Sequence, residues 1–170
     1  MNLLKIPAGQ PVLIDTNIFI YANQKASGQC IKLLERCAGN EVLGILPTHI
    51  LAEIMHVLML AEARDIGIIK GSNPARQLTE NPQVVKSLNR YESLIRDLLA
   101  FGLQLESLQR EDFITAMSLQ RQYGLLTNDA LFLAIATRLR VTAIISSDAV
   151  FKNVQGIIHY SPDDINEEYK

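Results

Sequence analysis

Pro11-Val12-Leu13-Ile14, followed at once by Asp15-Thr16-Asn17, sets the fold class. A short, fully apolar run that stops abruptly at polar residues suits a strand buried on both faces, as in a parallel sheet. Outward from it, runs that read as further strands return at residues 41–46 after the Gly39-Asn40 turn signal, at 103–106, at 141–145 and at 156–160. Helical patterns fill the intervals. Residues 17–23 and 29–37 read as short helices separated by Gly28. Residues 48–64 form the clearest helix, with Ile50, Leu51, Ile54, Met55, Leu58 and Met59 at helical spacing. Residues 82–101 read as one helix, 111–123 as another, and Thr127 is expected to cap the next. Strands alternating with helices predict an α/β fold, a three-layer sandwich whose central, mainly parallel sheet is flanked by helices. No repeat, linker or low-complexity tract interrupts the pattern. A single domain over residues 1–170 is therefore expected, with a helical or loop insertion at about 65–85 around Gly71-Ser72-Asn73-Pro74.

Composition narrows the function classes. The 170 residues are 48% hydrophobic and 20% charged with a net charge of −2, the balance of a globular protein with a real core. A bulk-electrostatic nucleic-acid binder would be basic overall. With 6% aromatic residues and no Trp, serial base stacking is not suggested. The only cysteines, Cys30 and Cys37, lie seven apart on one helix face, too far for an easy disulfide and too few to close a zinc site. Buried thiols in a reducing cytoplasm are the expectation. The N-terminal MNLLKIPAGQ is no signal peptide, and no run reaches membrane-spanning length.

Acidic residues stand where α/β sheets gather ligands, at the carboxyl ends of strands. Asp15 follows one strand and Asp148 another, while Asp129 sits in the first turn of a helix. Carboxylates sharing a cleft repel one another unless a cation is bound, and Mg²⁺ and Mn²⁺ prefer oxygen ligands. One or two such ions can polarise a phosphodiester, activate a water and stabilise the leaving oxygen. Each acid also has a plain explanation: Asp15 and Asp148 as helix caps, Asp129 as a favourable charge at a helix N-terminus. Glu53 lies nearly opposite the apolar face of its helix, on a stripe shared with His49 and His56. That stripe allows a His–Glu–His metal site or simply a solvated surface, and it lacks the H-E-x-x-H pattern of zinc proteases.

The pieces join through a resemblance. Val12-Leu13-Ile14-Asp15-Thr16-Asn17 resembles the opening strand and acidic turn of PIN domains. Residues 48–54, Thr-His-Ile-Leu-Ala-Glu-Ile, resemble their helix-borne second acidic motif, and residues 145–151, Ile-Ser-Ser-Asp-Ala-Val-Phe, the fourth. Residues 123–136, YGLLTNDALFLAIA, are the most specific segment and are similar to the third. The resemblance runs from about Pro11 to Pro162. It implies a site formed by Asp15, Glu53, Asp129 and Asp148 around Mg²⁺ or Mn²⁺, cleaving RNA endonucleolytically. Thr16, Asn17, Ser146 and Ser147 would orient carboxylates or water. It further implies a toxin of a VapBC-like toxin–antitoxin pair, hence an antitoxin partner, and a homodimer. Arg64, Lys70, Arg76, Lys86 and Arg90 cluster in sequence and form either a phosphate-binding groove or a solvated surface. The alternative from another class is a PIN-like module that binds RNA or protein without cleaving. A phosphatase is disfavoured because no Asp-x-Asp pair follows the first strand, and no P-loop is present.

Overall fold

A computed structural model describes residues 1–166. Its centre is a five-stranded sheet, parallel at every pairing, in the spatial order β3-β2-β1-β4-β5. The strands are β1 (Pro11–Ile14), β2 (Leu43–Pro47), β3 (Gln104–Glu106), β4 (Ala143–Ile145) and β5 (Ile158–Tyr160). Helices α1 (Thr16–Asn23) and α2 (Gly28–Ala38) connect β1 to β2. The β2–β3 connection holds α3 (Thr48–Asp65), α4 (Pro74–Thr79), α5 (Pro82–Ser87) and α6 (Arg90–Ala100). Then come α7 (Arg110–Tyr123) and α8 (Thr127–Leu139), and a 3-10 turn over Ala149–Asn153 leads into β5.

The unbroken apolar runs have their physical reason here. Val12, Leu13, Ile14, Ile144 and Ile145 are all wholly buried, which only a strand covered on both faces requires. The edge strand β3 is correspondingly more exposed. Gly44 marks the tightest point of β2: a Cβ there would stand 2.5 Å from Leu103 Cδ2 and 3.0 Å from Cys37 Sγ. Cys30 and Cys37 are both free and buried, and burial pushes each thiol up to about 11.

Strand order positions the site. From β1 the chain adds β2 and β3 on one side, then β4 and β5 on the other. The connections leave β1 and β4 in opposite directions, and a crevice opens beyond their carboxyl ends. Asp15 directly follows β1, and Asp148 lies three residues past β4.

Three local expectations need correcting. The strand expected at 41–46 begins at Leu43 and runs to Pro47. The helix expected over 82–101 is two, because Leu88 turns extended (ψ 131) and is buried in a small separate core with Ala63, Ile69 and Leu78. The second of them starts afresh on the Glu62 carboxylate, which accepts the amides of Asn89 (3.0 Å), Arg90 (3.1 Å) and Tyr91 (2.8 Å). A buried carboxylate from α3 thus satisfies the orphan donors of α6 that its own Asn89 side chain leaves unmet. Thr127 is the first residue of α8, not its cap. Leu126 holds the cap position without a side-chain bond, and the Thr127 hydroxyl accepts instead from Gln120. Among the described residues no helix is long and apolar enough to cross a membrane.

Candidate active site

Asp15 caps α1 by accepting the Thr16 amide at 2.7 Å, and Asp148 accepts the Val150 amide at 3.0 Å at the head of the 3-10 turn. The plain capping explanations therefore hold, yet both carboxylates also face the crevice. Glu53 reaches it from the second turn of α3 and Asp129 from the first turn of α8. All four line one cleft of about 520 Å³. Its other walls are apolar and aromatic (Ile20, Tyr21, Ile50, Leu126 and Phe132), with Thr16, Asn17, Thr127 and Asn128 between.

A hydrogen-bond web fixes the carboxylates on the sheet side. Asp15 Oδ2 accepts from Ser146 Oγ at 2.6 Å and from Asn17 Nδ2 at 2.9 Å. The Asp148 amide donates to Ser146 Oγ at 3.0 Å, and the Ser147 amide to Asn17 Oδ1 at 3.0 Å. Ser146 and Asn17 thus tie the end of β1 to the end of β4. Thr16 contributes its backbone amide; its buried hydroxyl makes no hydrogen bond. Across the cleft, Asn128 Nδ2 donates to Glu53 Oε2 at 2.9 Å, linking α8 to α3.

The electrostatics are those of crowded acids. Burial, then the charges of Asp148, Asp15 and Glu53, push the Asp129 carboxyl up to about 6. Burial also raises Asp15, with Glu53 adding to the rise, against the hydrogen bonds from Ser146, Thr16 and Asn17 that hold it down. Neither Lys nor Arg lines the cleft among the described residues. Four oxygen donors with uncompensated repulsion match what a hard divalent cation needs. The side chains stand apart as they are: among the described residues no three His, Cys, Asp or Glu groups are gathered tightly enough to hold an ion. In donor chemistry the residues fit such a cation, and closing around it requires the carboxylates to draw together.

The His–Glu–His stripe disperses. Glu53 faces the cleft, His56 is exposed, and His49 is half-buried with neither ring nitrogen hydrogen-bonded in ordinary geometry. Burial lowers the His49 pKa, countered by the nearby Asn128 backbone and the charges of Glu53 and Asp112. The cations expected to hold RNA lie on α3 and on the segment beyond it, and none of them lines the cleft. Arg76 is paired with Glu80 and Arg90 with Asp65. Two contributors have little or no mark in the sequence. Asn128 is adjacent to a candidate acid and carries that much signal. His159, whose Nε2 lies 2.8 Å from the Ser146 carbonyl, carries none, since only strand pairing brings the two together.

With this geometry in place, comparison with known proteins identifies the class. A family model for the PIN domain matches residues 12–157, and the chain belongs to that family. Among solved structures it is similar to VapBC2 from Rickettsia felis bound to a DNA fragment from their promoter, with 18% identity and a TM-score of 0.56. That match covers 91% of this chain and 100% of the other. A toxin–antitoxin complex from Klebsiella pneumoniae matches at 16% identity and a TM-score of 0.53, covering 86% and 95% of the two chains. At such identities the likeness is one of fold. No curated protein sequence gives a significant match.

Proposed function

We propose that this protein is a metal-dependent endoribonuclease that hydrolyses RNA phosphodiester bonds, acting as the toxin of a VapBC-like toxin–antitoxin pair. One observation carries the reading: Asp15, Glu53, Asp129 and Asp148 arrive from four separate elements in one cleft that, among the described residues, no Lys or Arg lines. PIN domains are generally nucleases, and the similarity to toxin–antitoxin structures supports the toxin role and an antitoxin partner.

In this reading the four carboxylates hold Mg²⁺ or Mn²⁺. When bound, such an ion neutralises the scissile phosphate, activates water and stabilises the leaving oxygen. The chain's own residues prepare that arrangement. Ser146, Asn17 and the Thr16 amide fix the lone-pair directions of Asp15, the Ser147 amide fixes Asn17, and Asn128 orients Glu53. The apolar wall of Ile20, Tyr21, Ile50 and Leu126 excludes water beside the phosphate and faces the nucleoside. Arg64, Lys70, Arg76, Lys86 and Arg90 contact phosphates farther along the strand. A single domain with its excursion at about 65–85, a cytoplasmic location and a homodimer complete the proposal.

The test is cleavage of a mixed single-stranded RNA pool by purified protein under titrated Mg²⁺ and Mn²⁺, with EDTA and Asp148→Asn controls. Metal-dependent products that the variant fails to make are expected. RNA affinity that survives metal removal, with no products under either ion, would replace this reading with that of a non-catalytic binding module.

A further inference from the structure

Behind Asp15 the sheet runs out. β4 and β5 pair through Ile145↔Tyr160, and the Ser146 amide extends the ladder to the Tyr160 carbonyl at 3.1 Å. There the chain leaves the sheet for Asp148, and strand pairing offers the Ser146 carbonyl no partner. His159 supplies one. Its Nε2 lies 2.8 Å from that carbonyl in a buried setting, and because a carbonyl only accepts, Nε2 carries the hydrogen. His159 is 9% exposed, and its ring packs against the wholly buried Phe151, with centroids 6.3 Å apart.

The consequence follows from peptide planarity. The Ser146 carbonyl and the Ser147 amide belong to one rigid plane and point in opposite directions. His159 holds one end, and Asn17 Oδ1 accepts from the other at 3.0 Å. With both ends held, the plane cannot rotate, and two side chains are aimed by it. Asn17 is turned so that its Nδ2 donates to Asp15. Ser146 Oγ is left where it donates to Asp15 at 2.6 Å and accepts from the Asp148 amide at 3.0 Å.

We propose that His159 is a positioning residue for the carboxylate site, locking the Ser146–Ser147 peptide so that Asp15 and Asp148 are presented in fixed relation. The proposal rests on the metallonuclease reading of the cleft. His159 touches neither substrate nor ion; it acts through Ser146 and Asn17. Without its donor the carbonyl is a buried orphan, the plane turns to find another partner, and both hydrogen bonds to Asp15 Oδ2 are disturbed.

Three variants of the full chain separate donor from packing. His159→Gln keeps an N–H at about the position of Nε2, His159→Asn places its amide nearer Nδ1, and His159→Phe keeps the ring and has no donor. Two readouts are taken: amide hydrogen exchange at Ser147 in metal-free protein, and the Kd for Mn²⁺ by calorimetric titration. Faster Ser147 exchange and roughly tenfold weaker Mn²⁺ binding are expected for His159→Phe and His159→Asn, the loss typical of groups that orient metal ligands. His159→Gln should stay within about threefold of the unmodified protein on both. If His159→Phe fails to fold, the Asn and Gln variants carry the comparison. Unchanged Mn²⁺ affinity in His159→Phe and His159→Asn, or equal loss in His159→Gln, overturns the proposal. Unmodified protein that binds no Mn²⁺ sinks the metallonuclease reading, and the positioning role falls with it.

Discussion

Replacing Asp129 with Asn should make the metal-free protein more stable while removing cleavage. The folded state holds the Asp129 proton up to about pH 6, against an ordinary carboxyl value of 3.8, because the group is partly buried beside three other carboxylates. A raised pKa means that the folded chain binds the proton more tightly than the unfolded chain. The associated stability is fully present below about pH 4 and is lost as pH rises through about 6. Lifting a carboxyl pKa from 3.8 to about 6 corresponds to roughly 3 kcal/mol at most, and water at the cleft mouth reduces this to on the order of 1–3 kcal/mol. Asn keeps the size and polarity of the side chain and never ionises. Asp129→Asn in EDTA at pH 8 should therefore melt roughly 2–12 °C above the unmodified protein, given about 2–4 °C per kcal/mol at this chain length. The gap should close as the pH approaches 4. Adding Mn²⁺ at pH 8 should narrow it from the other side, since a cation held as proposed would stabilise the four-carboxylate protein and do little for the variant. Circular dichroism melts across that pH range, with and without metal, read all three effects. Equal melting temperatures at pH 8, or a gap that persists unchanged to pH 4, would refute the claim that burial and the neighbouring carboxylates together raise the Asp129 pKa.

Two further outcomes follow from groups outside the cleft. Burial alone would raise the Glu62 pKa, but the Tyr91, Arg90 and Asn89 amides and the Arg90 charge outweigh it and hold it below the ordinary carboxylate range. Its stabilising effect is present above the ordinary value of 4.5 and lost as pH falls through the depressed one. Glu62→Gln should cost roughly 1–3 kcal/mol in urea unfolding at pH 7, with the difference fading in acid; a pH-independent cost would argue against charge-assisted capping of α6. Arg138 donates to Asp112 at 2.8 and 3.0 Å and to Glu106 at 2.8 Å, and Asp112 is 1% exposed. Arg138→Met should cost about 3–5 kcal/mol by stranding that carboxylate. Asp112→Asn in the same chain should recover part of it, and a single-variant cost below about 1 kcal/mol would show that the pair is not desolvated.

The fold class was legible in the sequence because strands buried on both faces leave unbroken apolar runs, as at Pro11–Ile14 and Ala143–Ile145. Asp15 and Asp148 were legible as well, since a carboxylate just past a strand end is a local pattern. So was the alternation that makes the sheet parallel. Local spacing could not say that Glu53 and Asp129 meet them, and only the family resemblance implied it, because that meeting depends on how α3 and α8 pack beside the strand-order reversal between β1 and β4. The break in the helix expected over 82–101 was invisible for a similar reason: local propensity favours continuation, and it is overruled by Glu62, more than twenty residues away. His159 shows the limit most clearly. Nothing near it in the chain marks it, and only the pairing of β5 with β4 sets its Nε2 against the Ser146 carbonyl. Local patterning decides which residues can form elements and carry charge. Which of those charges share a cleft, and what holds them there, is decided by contacts between residues far apart in the chain, and those exist only once the sheet has formed.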